Sequence, residues 1–172
     1  MNRRGYTIIE LLVVISMMGI LFGYASWSIT NMLPKWRLQG AADEVVQQFQ
    51  QARAEAVRRN KPVVVEFTSI GSSTSSAVRL LEDGNNDYVG DTLIMQRLIP
   101  DAHTNAYIKL AQDGAGNLTT VAIGSDGTIK SINGAGRGTM PITITLDSVV
   151  STTPDTYRVI VDRSGAARVK SP

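Results

Sequence analysis

Hydrophobic and polar positions divide the chain into three textures. Leu11 to Ile29 is an apolar run of 19 residues without a charge. As a helix it is long enough to cross a bilayer core of about 30 Å. From Leu38 the pattern becomes periodic, with Leu38, Ala42, Val45, Phe49, Ala52 and Ala56 spaced by three or four. That spacing lays one apolar stripe along a helix, and Gln47, Gln50, Gln51, Arg53 and Arg58 fall off it. Glu55 precedes Arg59 by four, a favourable helical pair. Arg58, Arg59, Asn60 and Pro62 supply stop signals. Residues 6–60 as one helix span about 80 Å at 1.5 Å per residue. Pro34 and Gly40 interrupt that helix, and Gly19 and Gly23 weaken it. The pattern leaves open one bent helix or two helices separated at Pro34.

After Pro62 the texture turns to strands. Val63 to Phe67, Ala77 to Leu81, Leu93 to Leu98, Tyr107 to Leu110, Thr120 to Ile123, Ile142 to Leu146 and Tyr157 to Val161 are short runs of strand character. Gly71 to Ser76, Asp83 to Asp87, Asp113 to Asn117, Ser125 to Gly127 and Asn133 to Gly138 read as turns and loops. The pattern predicts an antiparallel sheet or sandwich with the amphipathic helix packed on it, an α+β head.

Composition narrows the chemistry. The 172 residues suit one domain with an appendage, and 43% hydrophobic against 19% charged residues excludes bulk disorder. Cys is 0, which excludes disulfides, thiolate metal sites and a cysteine nucleophile. The one histidine, His103, excludes a multi-histidine metal site and leaves a Ser-His-Asp triad formally available. It sits in the loop-like stretch Pro100 to Asn105 and reads as a surface histidine. The sequence holds no nucleotide loop, no convincing catalytic set and no cofactor motif. An anchored enzyme is the weakest function class, and no cofactor is expected. The formal charge of +2 is too small for wholesale polyanion binding.

The N-terminus carries the strongest signal. Arg3 and Arg4 precede the apolar run and predict a cytoplasmic start, with the remainder across the membrane. A secretory signal peptide or a plain anchor is the simpler reading, but Ser26 and Ser28 make a poor cleavage site. Glu10 fits neither. A carboxylate at the bilayer centre costs about 2.5–3.5 kcal/mol, less near the interface. A plain anchor has no use for that cost, whereas a cation on a neighbouring chain would offset it.

The run Arg3-Arg4-Gly5-Tyr6-Thr7-Ile8-Ile9-Glu10-Leu11-Leu12-Val13-Val14 resembles the class III leader of type IV pilins and type II secretion pseudopilins. The resemblance implies prepilin peptidase cleavage between Gly5 and Tyr6 and N-methylation of Tyr6. It makes Glu10 the residue that neutralises the N-terminal amine of an adjacent subunit during assembly. Loss of Arg3 and Arg4 lowers Lys+Arg from 17 to 15 against 15 acids, so the mature side-chain charge is zero. The junction Gln51 to Val63, the Gly127 turn and a closing hairpin from Tyr157 to Val169 resemble the GspH/FimT group.

The expected organisation is a leader at 1–5, a transmembrane and assembly helix at 6–33, an amphipathic half at 34–61 and a β-rich periplasmic head at 62–172. The expected role is a minor pilin or pseudopilin in a type II secretion pseudopilus or a type IV pilus. It implies a single pass through the inner membrane. Expected partners are other pilin subunits, the prepilin peptidase and an inner-membrane assembly platform.

Two constellations add candidate chemistry. Asp83, Asn85 and Asp87 have the alternating oxygen spacing of a calcium loop, but Tyr88 and Ile94 stand where that loop needs Gly and Glu. A polar hairpin loop is the favoured reading. Arg163, Arg168 and Lys170 cluster near the C-terminus without an acid. DNA-binding members of the FimT group carry Gly-Arg-x-Arg there. Gly165 and Arg168 match its ends, but Ala166 replaces its first arginine. DNA uptake is therefore the alternative to a purely structural role, and ordinary solvated charges are favoured over it.

Overall fold

The computed structural model describes residues 7–72, 76–99, 106–113, 116–133, 140–148 and 156–170. The first element is one helix, α1 (Ile8–Arg59), 52 residues long with Pro34 inside it. The choice left open by the sequence thus falls to a continuous helix. Proline removes one N–H and one helical bond; the turns on either side continue the ladder.

Both ends of α1 are capped by its own sequence. The Thr7 hydroxyl accepts from the Glu10 N–H at 3.3 Å, and the Thr7 N–H donates to Glu10 Oε2 at 3.0 Å, a reciprocal capping box. Asn60 closes the other end in the left-handed region, φ 53°, and its N–H donates to the carbonyls of Ala56 and Val57. The predicted stripe is the buried face: Leu38, Ala42, Val45, Phe49, Ala52 and Ala56 are all at most 1% exposed, and Ala41 joins them. The alanines let the sheets approach closely. Leu38, Val45 and Phe49 supply the bulk, about 1.5–3 kcal/mol each on full burial.

The strands are β1 (Val63–Thr68), β2 (Ala77–Glu82), β3 (Thr92–Leu98), β4 (Ala106–Asp113), β5 (Gly116–Asn117), β6 (Thr120–Ile123), β7 (Ile129–Ile132), β8 (Ile142–Ser148), β9 (Tyr157–Val161) and β10 (Ala167–Lys170). They form two antiparallel five-stranded sheets, ordered β3-β2-β1-β6-β7 and β10-β9-β8-β4-β5. The helix packs against strands of both. Val63, Val65 and Phe67 from the first sheet join Ile144, Leu146, Val159 and Val161 from the second in one core with the helix stripe. The seven strand runs read from the sequence are all strands. The stretch Ile129–Ile132, not read as one, is β7, and the two-residue β5 falls within a predicted turn.

Candidate functional site

Three places carry the candidate residues. The first is the N-terminal half of α1. Ile8–Ser26 is long and apolar enough to cross a membrane and is not buried among the described residues. Ile8, Ile9, Leu11, Leu12, Ile20, Leu21 and Phe22 stand exposed. Glu10 lies within this face, and its Oε2 accepts from both the N–H and the hydroxyl of Thr7. The carboxylate therefore sits at the helix start, where the dipole favours an anion. Gly5 and Tyr6, the predicted processing residues, lie outside the described residues, as does His103.

The second is the loop after β2. Asp83 is fully buried, and its carboxylate accepts from three backbone N–H groups: Asn85 at 3.1 Å and Asn86 at 2.7 Å on Oδ1, and Tyr88 at 2.7 Å on Oδ2. Asn85 Oδ1 accepts from the Asp87 N–H, and Asp87 Oδ1 from the Val89 N–H. Asp91 closes the loop by accepting from the Gly84 N–H at 2.8 Å. The alternating oxygens singled out for calcium thus hold the loop's own backbone. Among the described residues no three acids or histidines gather as a metal cluster.

The third is the hairpin of β9 and β10. Arg163 lies in its turn, and Arg168 and Lys170 project from β10 to the exposed face. The register puts Lys170 opposite Arg158, a cation the sequence reading did not single out. Its signal was legible as the exposed member of the alternation Tyr157, Arg158, Val159. The turn leans on the helix: Gly165, φ +74°, and Gly127, φ +74°, lie beneath the Arg53 side chain. A bond from the Ile129 N–H to the Arg163 carbonyl, 3.2 Å, ties the two turns together.

The remaining polar chemistry is ion pairing at the helix end. Glu55 accepts from Arg58 at 2.6 Å and Arg59 at 2.8 Å, and Glu82 from Arg59 at 2.5 Å and Lys61 at 2.7 Å. These partners hold both carboxyls below their ordinary range, Arg58 leading for Glu55 and Lys61 for Glu82.

The fold is a helix whose first half packs against nothing among the described residues and whose second half is the spine of a β-rich head. The family described as type II transport protein GspH matches residues 41–165. The prokaryotic N-terminal methylation motif matches residues 1–26. The chain belongs to the GspH family. It is a minor pseudopilin or pilin subunit, with the N-terminal apolar helix of that class. The type IV minor pilin FimU of Pseudomonas aeruginosa superposes with a TM-score of 0.53 at 13% identity, over 78% of this chain and 97% of that one. The minor pseudopilin EpsH of the Vibrio cholerae type 2 secretion system gives 0.52 at 14% identity, over 79% and 98%. At such identities the likeness is one of fold. Comparison with curated protein sequences finds no match.

Proposed function

We propose that the protein is held in the inner membrane by Ile8–Ser26, with its head in the periplasm, and joins a pseudopilus or pilus through the same helix. A prepilin peptidase cuts between Gly5 and Tyr6, and Tyr6 is N-methylated. Cleavage creates an N-terminal cation, and Glu10 of an adjacent subunit neutralises it within the apolar packing. The role is structural, without catalysis.

The observation that carries this reading is the contrast along α1. The same helix is wholly exposed over an apolar length of 19 residues and then clamped by both sheets from Leu38. Exposed apolar surface of that length requires lipid or other helices around it. A filament of packed N-terminal helices supplies the second environment after the first. The DNA-uptake reading gains nothing from the family match or the fold. A deletion strain assayed in parallel for protein secretion, piliation and transformation tests the proposal. Loss of secretion or piliation with transformation intact supports it; loss of transformation alone overturns it.

A further inference from the structure

Most cations at one end of the head are ion-paired and those at the other end are mostly not, and the topology fixes which end faces the membrane half of α1. Strand β1 starts beside the helix C-cap and reaches Phe49 with Phe67, so it runs back along α1. The chain then turns, and the Gly71 N–H donates to the Ile108 carbonyl at 2.7 Å. Ile108 faces Leu146 in register, and Leu146 faces Tyr157. Arg158 and its partner Lys170 therefore lie at the near pole, the end directed along α1 toward Leu38 and the apolar half. The β9–β10 turn, against Arg53, marks the far end.

At the far end Arg58, Arg59, Lys61 and Lys130 are each tied to Glu55, Glu82 or Asp126 within 2.8 Å, while Arg163 in the turn and Arg53 against it have no ion pair among the described residues. At the near pole the acids Glu44 and Asp147 are taken by Arg97 and Lys109, and Asp43 is an exposed acid without an ion pair among the described residues, one negative charge against the four cations that follow. Arg158, Lys170, Lys35 and Arg37 have no ion pair with any acid among the described residues, and all four are exposed. Arg158 and Lys170 even face each other directly, a like-charge pair that destabilises a sheet unless an anion sits over it.

Depth along the helix points the same way. Lys35 is the first charge after Glu10, and Trp36 beside it is 54% exposed. Glu10 to Trp36 is about 39 Å of helix. At an ordinary tilt of about 20° this shortens to roughly 37 Å. With Glu10 at the inner edge of a core of about 30 Å, Trp36 lies about 7 Å outside it, in the headgroup layer. Indole, Lys and Arg are the side chains that layer takes. Leu38, two residues on, is already buried in the head, so no stalk separates head from membrane.

We propose that the near pole docks on anionic phospholipid headgroups through Lys35, Trp36, Arg37, Arg158 and Lys170, holding the head against the membrane before assembly. The proposal rests on the membrane-anchored reading above. Continuity with the spanning helix and the indole at headgroup depth favour lipid phosphate over the phosphates of DNA.

The chain has no cysteine, so Ser69→Cys at the near pole and Ser125→Cys at the far end each accept a single fluorophore. The full-length labelled chains are placed in vesicles of phosphatidylcholine alone or mixed with phosphatidylglycerol, with a quencher on the lipid headgroup. Strong quenching at Ser69 and weak quenching at Ser125 in the mixed vesicles is expected. Arg158→Gln with Lys170→Gln should lower the docked-to-undocked ratio roughly 25-fold, about fivefold per cation. High salt should do the same to the unsubstituted pole. Equal quenching of both labels in an inserted chain overturns docking, as does quenching unmoved by the double variant and by salt. Quenching that grows with the protein-to-lipid ratio assigns the pole to a second copy, and displacement of lipid by duplex DNA assigns it to nucleic acid; either also overturns it. A chain that alkaline carbonate strips from both vesicles fails one step earlier, at the membrane anchor itself.

Discussion

Phe49 of α1 and Phe67 of β1 meet with ring centroids 6.1 Å apart and planes tilted by 36°. The pair joins the middle of the helix stripe to the first sheet within the shared core. Phe49 is fully buried. Phe49→Ala should cost about 3–5 kcal/mol through lost transfer energy and a cavity. Thermal melting of the full chain in detergent checks this. The helical signal of Ile8–Ser26 should outlast the head transition, since that half takes no support from the head.

Gly127 and Gly165 separate two kinds of glycine requirement. Both have φ +74°, where a side chain costs about 1–2 kcal/mol. A Cβ on Gly127 meets the flexible Arg53 side chain, Nε at 2.7 Å. A Cβ on Gly165 meets the Gly127 carbonyl oxygen, 2.8 Å away, which is backbone and cannot swing aside. Gly165→Ala should therefore destabilise by about 1–3 kcal/mol more than Gly127→Ala. Equal melting temperatures for the two variants would sink this account of the turn pair.

What the sequence made legible followed local rules. The stripe from Leu38 to Ala56 is buried because a 3.6-residue period forces those positions onto one face. The Thr7 cap and the Asn60 stop were local too, each set by the chemistry of a few neighbours. Strand β7 has little local signature because Ile129-Lys130-Ser131-Ile132 is short and weakly alternating; its pairing with β6 makes it a strand. Pairings such as Val64 with Ala122 join residues far apart in sequence, and no local pattern encodes the partner. The alternation Tyr157, Arg158, Val159 marks Arg158 as exposed, but only the register shows that it faces Lys170 across the hairpin. Asp83, Asn85 and Asp87 share calcium-loop spacing with an ordinary polar loop, because spacing alone does not say whether an oxygen points at an ion or at the loop's own N–H groups.

That last distinction is testable. Asp83→Asn keeps one acceptor oxygen but turns an amide NH2 toward a backbone donor now satisfied by the second oxygen. The buried loss should cost about 1–3 kcal/mol. Millimolar calcium should leave the melting temperature of the unsubstituted protein unchanged. A calcium-dependent rise that Asp83→Asn abolishes would restore the metal reading.

Acid should loosen the far end of the head first. Glu55 and Glu82 have folded pKa values below the ordinary 4.5, held there by Arg58 with Arg59 and by Lys61 with Arg59 respectively. Lys130 and the Thr128 N–H depress Asp126 in the same way. For a depressed carboxyl, the stabilisation is full above the unfolded value and is lost as pH falls through the folded one. Stability should be flat from neutral pH to about 5 and decline below it. Because these groups are exposed, salt should flatten the decline. Urea titrations across this range compare the protein with Glu82→Gln, which should show a shallower slope.

Glu10 has two candidate uses, and a pair of substitutions separates them. In the single chain its carboxylate completes the cap with Thr7. In a filament, under the proposed function, it also faces a neighbour's amine. Glu10→Ala removes both roles, yet removing a carboxylate from an apolar helix makes insertion easier. The variant should remain in the membrane and be absent from sheared filaments. Thr7→Ala removes the hydroxyl cap, worth about 0.5–2 kcal/mol to the helix end, and leaves the carboxylate in place. It should assemble nearly as well as the unsubstituted protein. Immunoblots of membrane and sheared fractions read both. If Thr7→Ala is as defective as Glu10→Ala, the carboxylate serves the helix end alone. If Glu10→Ala assembles normally, no neighbour's amine depends on it.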